Sequence, residues 1–261
     1  MVGSPLTLLL GIAVFVACFG AAVGKPMSID QKIMAAAKDP RMFDLIHIMP
    51  NGEMMMMVQL DMLLTPHQYR LMQGNANRRG KRKALIENAP TNDGTLFLTR
   101  WPEGQVFYEI IDSFKQNKSM LTVIEQAIEE WERYTCLNFT AVDNTSEPED
   151  RIVFTYGEMC ASSLGRKGGL QDVFLGYDCF EKSIVIHEIG HAIGWIHEHT
   201  RPERNRYVYV DRRIVREYPG DLERFDRGCI NDYGVQYDYR SIMHYGGDVS
   251  IHSDKRNVTA F

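Results

Sequence analysis

Between Met120 and Cys136 the apolar residues Leu121, Ile124, Ala127, Ile128, Trp131 and Tyr134 recur at intervals of three and four, while Glu125, Glu129, Glu130 and Arg133 fall on other faces. That period predicts one long amphipathic helix with a single buried stripe, and Ser119 is a suitable cap for it. Apolar runs of strand length mark Val106 to Ile111, Asn138 to Val142, Ile152 to Tyr156 and Leu170 to Leu175. The polar stretch Asp143 to Asp150 and the glycine-rich Gly165 to Gly169 separate them as loop and turn. The glycines lack the G-x-x-x-x-G-K-[ST] order that cradles phosphate. A second helix is predicted over Ser183 to Trp195, with Ile184, Ile189, Ala192 and Ile193 turned to the core. After Arg204 the chain is rich in Tyr, Asp and Gly with little periodicity, which predicts an irregular second lobe. No internal repeat is present.

Upstream the pattern changes. Val2 to Gly24 carries no charged side chain, and the apolar run Leu6 to Phe19 is followed by the small-x-small triplet Ala22-Val23-Gly24. The run is short for a bilayer span and reads as a secretory signal peptide over residues 1–24, although no Lys or Arg precedes it. Of the 14 methionines, 11 lie in residues 1–82 and three, Met120, Met159 and Met243, lie beyond. Residues 25–82 hold short amphipathic pieces and the run Met54 to Met57, and are expected to form a pro-segment with little independent stability. It closes on Asn77-Arg-Arg-Gly-Lys-Arg-Lys83, in which Arg79-Gly-Lys-Arg82 is a dibasic site for an activating processing protease cutting after Arg82. Residues 83–261 are then expected to form the main domain. With 261 residues, 44% hydrophobic and 24% charged, the chain is an ordinary globular protein, and its net charge of −5 gives no basic footprint for nucleic acid. No later stretch offers a membrane helix, so a secreted, extracellular product without stable membrane insertion is expected.

One segment demands a chemistry. His187 to Arg204 reads H-E-I-G-H-A-I-G-W-I-H-E-H-T-R-P-E-R. His187 and His191, four apart, stack their imidazoles on one helix face. Gly194 accepts a left-handed backbone, so the chain can turn there and return His197 to the same point. Three neutral nitrogen ligands beside the carboxylate of Glu188 describe a catalytic site for one Zn²⁺ ion with a position left for water. Its five fixed positions arise by chance on the order of once in ten thousand such chains or less, which sets aside a reading as ordinary surface residues.

Through Glu198, His199 and Arg201 this segment resembles the astacin family of metzincin zinc metalloendopeptidases, and Ser241-Ile-Met-His-Tyr245 resembles that family's Met-turn. The resemblance implies an α+β, zincin/metzincin-like, two-lobed catalytic domain. Its N-terminal lobe would be a twisted, mostly parallel sheet with two long helices, its C-terminal lobe largely irregular, with the cleft between. It implies hydrolysis of a protein or peptide substrate, with Glu188 as general base. Met243 would form the floor beneath the zinc histidines, and Tyr245 would hydrogen-bond the oxyanion. Glu198 would engage the new N-terminus after processing. The Leu170 to Leu175 strand would be the cleft edge on which substrate pairs. A pro-segment aspartate, usually in F-x-G-D, would take the fourth zinc position; Asp61 in Val58-Gln-Leu-Asp-Met62 is the best candidate although it lacks the Phe and Gly, and Asp44 is its rival.

Cys18 leaves with the signal peptide, so Cys136, Cys160, Cys179 and Cys229 remain, an even number suited to an oxidising compartment. By resemblance Cys160 and Cys179 form a disulfide. Cys136 and Cys229 either pair with each other or are both free. Asn117, Asn138, Asn144 and Asn257 begin glycosylation sequons. The chain stops at Phe261, soon after the Met-turn, so a domain short at its C-terminus is expected. The alternative function is a non-catalytic secreted binding protein on the same fold; a zincin whose third ligand is a downstream glutamate is disfavoured by His197 at its offset.

Overall fold

A computed structural model describes residues 46–49, 52–66, 68–69, 100–143, 148–210, 222, 224–225, 230, 232–245 and 251–253. The expected signal peptide, Asp44, the cut at Arg82, Cys229 and the sequons at Asn144 and Asn257 lie outside them.

Eight strands form one mixed sheet in the order β1-β2-β3-β7-β8-β6-β4-β5. These are β1 (Ile46–Ile48), β2 (Met54–Val58), β3 (Met62–Leu64), β4 (Gln105–Ile110), β5 (Asn138–Ala141), β6 (Arg151–Tyr156), β7 (Ala161–Ser163) and β8 (Leu170–Leu175). Strands β5, β4, β6 and β8 run parallel, while β7 is antiparallel to β8. Two short strands, β9 (Val208–Val210) and β10 (Ile251–Ser253), pair antiparallel beyond the sheet. Apart from these, the described residues after Arg206 are turns and irregular chain, as their lack of periodicity predicts.

Helix α1 (Asp112–Gln116) leads into α2 (Lys118–Tyr134), and α3 (Lys182–Ala192) packs beside α2 over the sheet. The α2 stripe buries Ile124, Ala127, Ile128 and Trp131, each large side chain contributing about 1.5–3 kcal/mol. Two sequence expectations are corrected here. Tyr134 ends the stripe 69% exposed. The cap is Asn117, whose Oδ1 accepts from the backbone N–H groups of Ser119 and Met120 at 3.1 and 3.3 Å. An Asn side chain reaches those orphan donors two and three residues on and contributes about 1 kcal/mol. Trp131 fixes α3 by donating Nε1–H to the Ile186 carbonyl at 3.0 Å, and Trp101 does likewise to Ala192 at the end of α3.

Residues 46–49 and 52–64 form no separate amphipathic pieces. They make a three-stranded antiparallel extension whose last strand, β3, pairs parallel with β7 in the register Met62↔Ser162 and Leu63↔Ser163. Every residue of β2 is buried. Met55 and Met57 join Met49, Leu63 and Ala161 on one face, while Met56 and Val58 join Met62, Leu64, Tyr69, Leu164 and Phe225 on the other. The methionine run is therefore a strand buried on both sides, where unbranched, polarizable side chains fill irregular gaps. The strand over Leu170 to Leu175 is not the cleft edge, because β8 lies between β6 and β7. Strand β7 pairs with β8 on one side and with β3 on the other.

Candidate metal centre

Helix α3 presents His187 and His191 one turn apart, and a Schellman turn then reverses the chain. Gly194, at φ +106°, donates N–H to the His191 carbonyl at 2.9 Å, and Trp195 N–H returns to Gly190 at 2.9 Å. His197 follows and comes back to its partners: its Nε2 lies 3.2 Å from Nε2 of His187, which lies 3.0 Å from Nε2 of His191. Such spacings resemble the edge of about 3.3 Å expected of a tetrahedron with Zn–N bonds of about 2.0–2.1 Å.

The other ring nitrogens define the protonation. Each Nδ1 faces an oxygen: Ile242 O at 2.8 Å from His187, Trp195 O at 2.7 Å from His191, and Gln59 Oε1 at 2.8 Å from His197. With Nδ1–H donated to those oxygens, three Nε2 lone pairs converge on one point, an arrangement that is repulsive without a cation. Burial holds His197 down at about 4 and lowers His191 as well, so these imidazoles are neutral near pH 7 and available as ligands.

Asp61 completes the cluster from the turn between β2 and β3. Its Oδ2 lies 3.1 Å from His197 Nε2 and 3.3 Å from His187 Nε2, and its Oδ1 lies 3.6 Å from His191 Nε2. Burial opposes its charge, but attraction to His197 and the contacts from His187, His191 and His197 outweigh it and hold the carboxyl well below its usual range. The carboxylate thus sits among the three Nε2 atoms, and its Oδ1 has no hydrogen-bond partner. One ligand atom from each of Asp61, His187, His191 and His197 lies within 4.8 Å of the others. Three neutral nitrogens and one carboxylate oxygen fit Zn²⁺, which balances the carboxylate and separates the lone pairs.

Glu188 is buried beside the ligands, with Oε2 unpartnered; burial and then the Asp61 charge push its carboxyl well above the usual range. Met243 is buried below α3. A Cβ built on Gly190 would stand 2.7 Å from its Sδ, so only glycine lets the methionine approach so closely. Tyr245 packs against both His197 and His199, with ring centroids 4.4 and 4.2 Å away. Its hydroxyl donates to the Gln59 carbonyl and lies 3.5 Å from Asp61 Oδ2. Glu198 accepts from Arg201 Nη1 at 2.9 Å and from Asp238 N–H at 2.7 Å; the N-terminus expected to meet it after processing lies outside the described residues. Cys160 and Cys179 form a disulfide, and Cys136 is a free, exposed thiol. Sequence reasoning does not find Gln59: it belongs to no motif, and only the fold brings it to His197.

Three imidazoles of this kind, joined to a buried glutamate and floored by a methionine under a mixed sheet, define the zincin class of metallopeptidases. Within that class the chain belongs to the astacin family, because the family model of the Astacin peptidases matches residues 95–259. Over 150 residues it is 40% identical to a bone morphogenetic protein 1 homolog of Strongylocentrotus purpuratus, covering 56% of this chain and 23% of that protein. Over 206 residues it is 35% identical to the zinc metalloproteinase dpy-31 of Teladorsagia circumcincta, covering 77% of this chain and 32% of that one. The chain thus spans less than a third of either relative. Among solved structures it is similar to high choriolytic enzyme 1, a hatching enzyme zinc-protease from Oryzias latipes (medaka fish), with a TM-score of 0.51, 29% identity, and coverage of 62% of this chain and 83% of that one. No helix among the described residues is long and apolar enough to cross a membrane.

Proposed function

We propose that this chain is a secreted zinc endopeptidase made as a zymogen, and the observation that carries the reading is the convergence of three Nε2 lone pairs beside the unpartnered, buried carboxyl oxygen of Glu188. His187, His191 and His197 would hold Zn²⁺, which when bound would supply Lewis-acid polarisation of the scissile carbonyl and lower the pKa of a water to about 7. Glu188 takes the water's proton on its carboxylate and passes it to the departing amine, a role open to a carboxyl that no other group holds. The Tyr245 phenol donates to the carbonyl oxygen as that atom gains charge. No covalent bond to the protein forms.

In the latent chain Asp61 occupies the position that water needs, and β3 covers the edge of β7 on which an extended peptide would pair its backbone. Cleavage after Arg82 by a processing protease would release both, and Glu198 would then exchange part of its present contacts for the new ammonium. The extracellular setting rests on the apolar leader, the Cys160–Cys179 bond and the sequons; of these Asn117 and Asn138 are exposed. Substrates are proteins or peptides.

Replacement of Glu188 by Gln, assayed on the processed chain, separates ligand from base. Zinc content should stay at one ion per chain while peptide hydrolysis falls about 10²–10⁴-fold; a zinc-loaded variant that keeps full turnover removes the assigned role. The binding-protein alternative would show no hydrolysis in the processed wild type.

A further inference from the structure

Two consecutive non-glycine residues, Gln59 at φ +55° and Leu60 at φ +71°, hold the left-handed conformation at the tip of the β2–β3 hairpin. That conformation is costly for an L-residue, so the surroundings must over-determine this turn. The contacts that do so lead to the metal centre. Val58 and Met62 pair across the hairpin, the Asp61 carbonyl accepts from Ser162 N–H at 2.8 Å, and Gln59 is fully buried. Gln59 reaches two residues of the site at once. Its side-chain Oε1 lies 2.8 Å from His197 Nδ1, and its backbone carbonyl accepts from the Tyr245 hydroxyl.

The orientation of the Gln59 amide follows from the ligands. His197 Nε2 faces Asp61 Oδ2 and the other imidazoles, so for His197 to bind a metal its proton must sit on Nδ1. Gln59 must then present oxygen. His187 and His191 obtain the same service from backbone carbonyls at Ile242 and Trp195, which belong to the catalytic part of the chain. His197 alone among the three takes its acceptor from the hairpin that processing would remove.

We propose that Gln59 is a positioning residue for the third zinc ligand: it fixes the tautomer and ring orientation of His197 in the intact chain, so that the hairpin tightens metal binding by a contact separate from Asp61. The same residue holds the Tyr245 hydroxyl away from any substrate, so one turn secures the metal and ties up the oxyanion donor together. The inference rests on the reading of His187, His191 and His197 as zinc ligands. Removing an outer partner of a metal-bound histidine costs about 10–100-fold in affinity, and an acceptor that is a carboxylate serves as well as or better than an amide.

The test uses the intact chain and measures zinc affinity by competition with a chromophoric chelator for wild type, Gln59→Met and Gln59→Glu. The Met variant keeps length and burial and removes the acceptor; it should bind zinc about 10–100-fold more weakly. The Glu variant should bind at least as tightly as wild type, a rescue that mere space-filling would not give. In ¹⁵N-histidine spectra of the zinc-loaded chain, the protected Nδ1–H signal of His197 should be present in wild type and Gln59→Glu and lost in Gln59→Met. Equal zinc affinity in wild type and a folded Gln59→Met overturns the inference and leaves the zinc site standing. If Gln59→Met does not fold, weaker binding by Gln59→Glu overturns it. A wild-type chain with no zinc affinity overturns the ligand reading, and this inference with it.

Discussion

Asp61 Oδ2 stands 3.1 Å from Nε2 of His197, on a hairpin whose last strand is hydrogen-bonded to β7 of the main sheet. The carboxylate is delivered by backbone pairing and not by a flexible tether, so its removal should open the site without moving the ligands. In the intact, uncut chain, Asp61→Ala should retain one zinc per chain on the three histidines and hydrolyse peptides at least about tenfold faster than uncut wild type, since a tenfold rate corresponds to only about 1.36 kcal/mol of barrier. Equal, negligible rates in both proteins would mean that coverage of β7, and not the carboxylate, keeps the chain latent.

The contact between Gly190 and Met243 links α3 to the turn that carries Tyr245. A methyl group at Gly190 would meet Met243 Sδ at 2.7 Å, so Gly190→Ala should destabilise the chain by about 1–3 kcal/mol in denaturant unfolding. In a Met243→Ala background that penalty should shrink, giving a coupling of about 0.5–3 kcal/mol in a double-mutant cycle. The same penalty in both backgrounds would show that the methionine is not what Gly190 accommodates.

Leu60 offers a test of strain at the hairpin tip. It is 59% exposed and left-handed, and its side chain secures little in return for that backbone. Leu60→Asn places a residue that tolerates this conformation and should raise stability by about 1 kcal/mol, seen as a higher denaturant midpoint with unchanged slope. A lower midpoint would contradict the strained turn.

Sequence periodicity locates what depends on local spacing. The α2 stripe, the strand-length runs of β4, β5, β6 and β8, and the His187, His191 and Glu188 placement follow from local spacing, and Gly194 is needed for the turn that returns His197. Whatever depends on pairing between distant segments is hidden from it. Met54 to Val58 is an uninterrupted apolar run, and such a run does not distinguish a strand buried on both faces from a piece of helix. The resemblance implies Leu170 to Leu175 as the cleft edge, whereas β8 lies inside the sheet; β7, which spans only Ala161–Ser163 and carries no apolar alternation, is not marked as a strand by the sequence pattern. Gln59 has no motif, since its acceptor role exists only once the hairpin is docked. The Asn117 cap lies one residue outside the helix, where the nearer Ser119, a polar residue equally suited by type, competes with it for the assignment.

Peptide hydrolysis by the purified chain, measured before and after cleavage at the Arg79–Arg82 cluster, with and without a chelator, tests the account most directly. It predicts no turnover in the intact chain, turnover after cleavage, loss of that turnover on chelation, and recovery on adding one equivalent of Zn²⁺. Hydrolysis that persists under chelation, or a cleaved, zinc-loaded chain that hydrolyses no peptide, would contradict it.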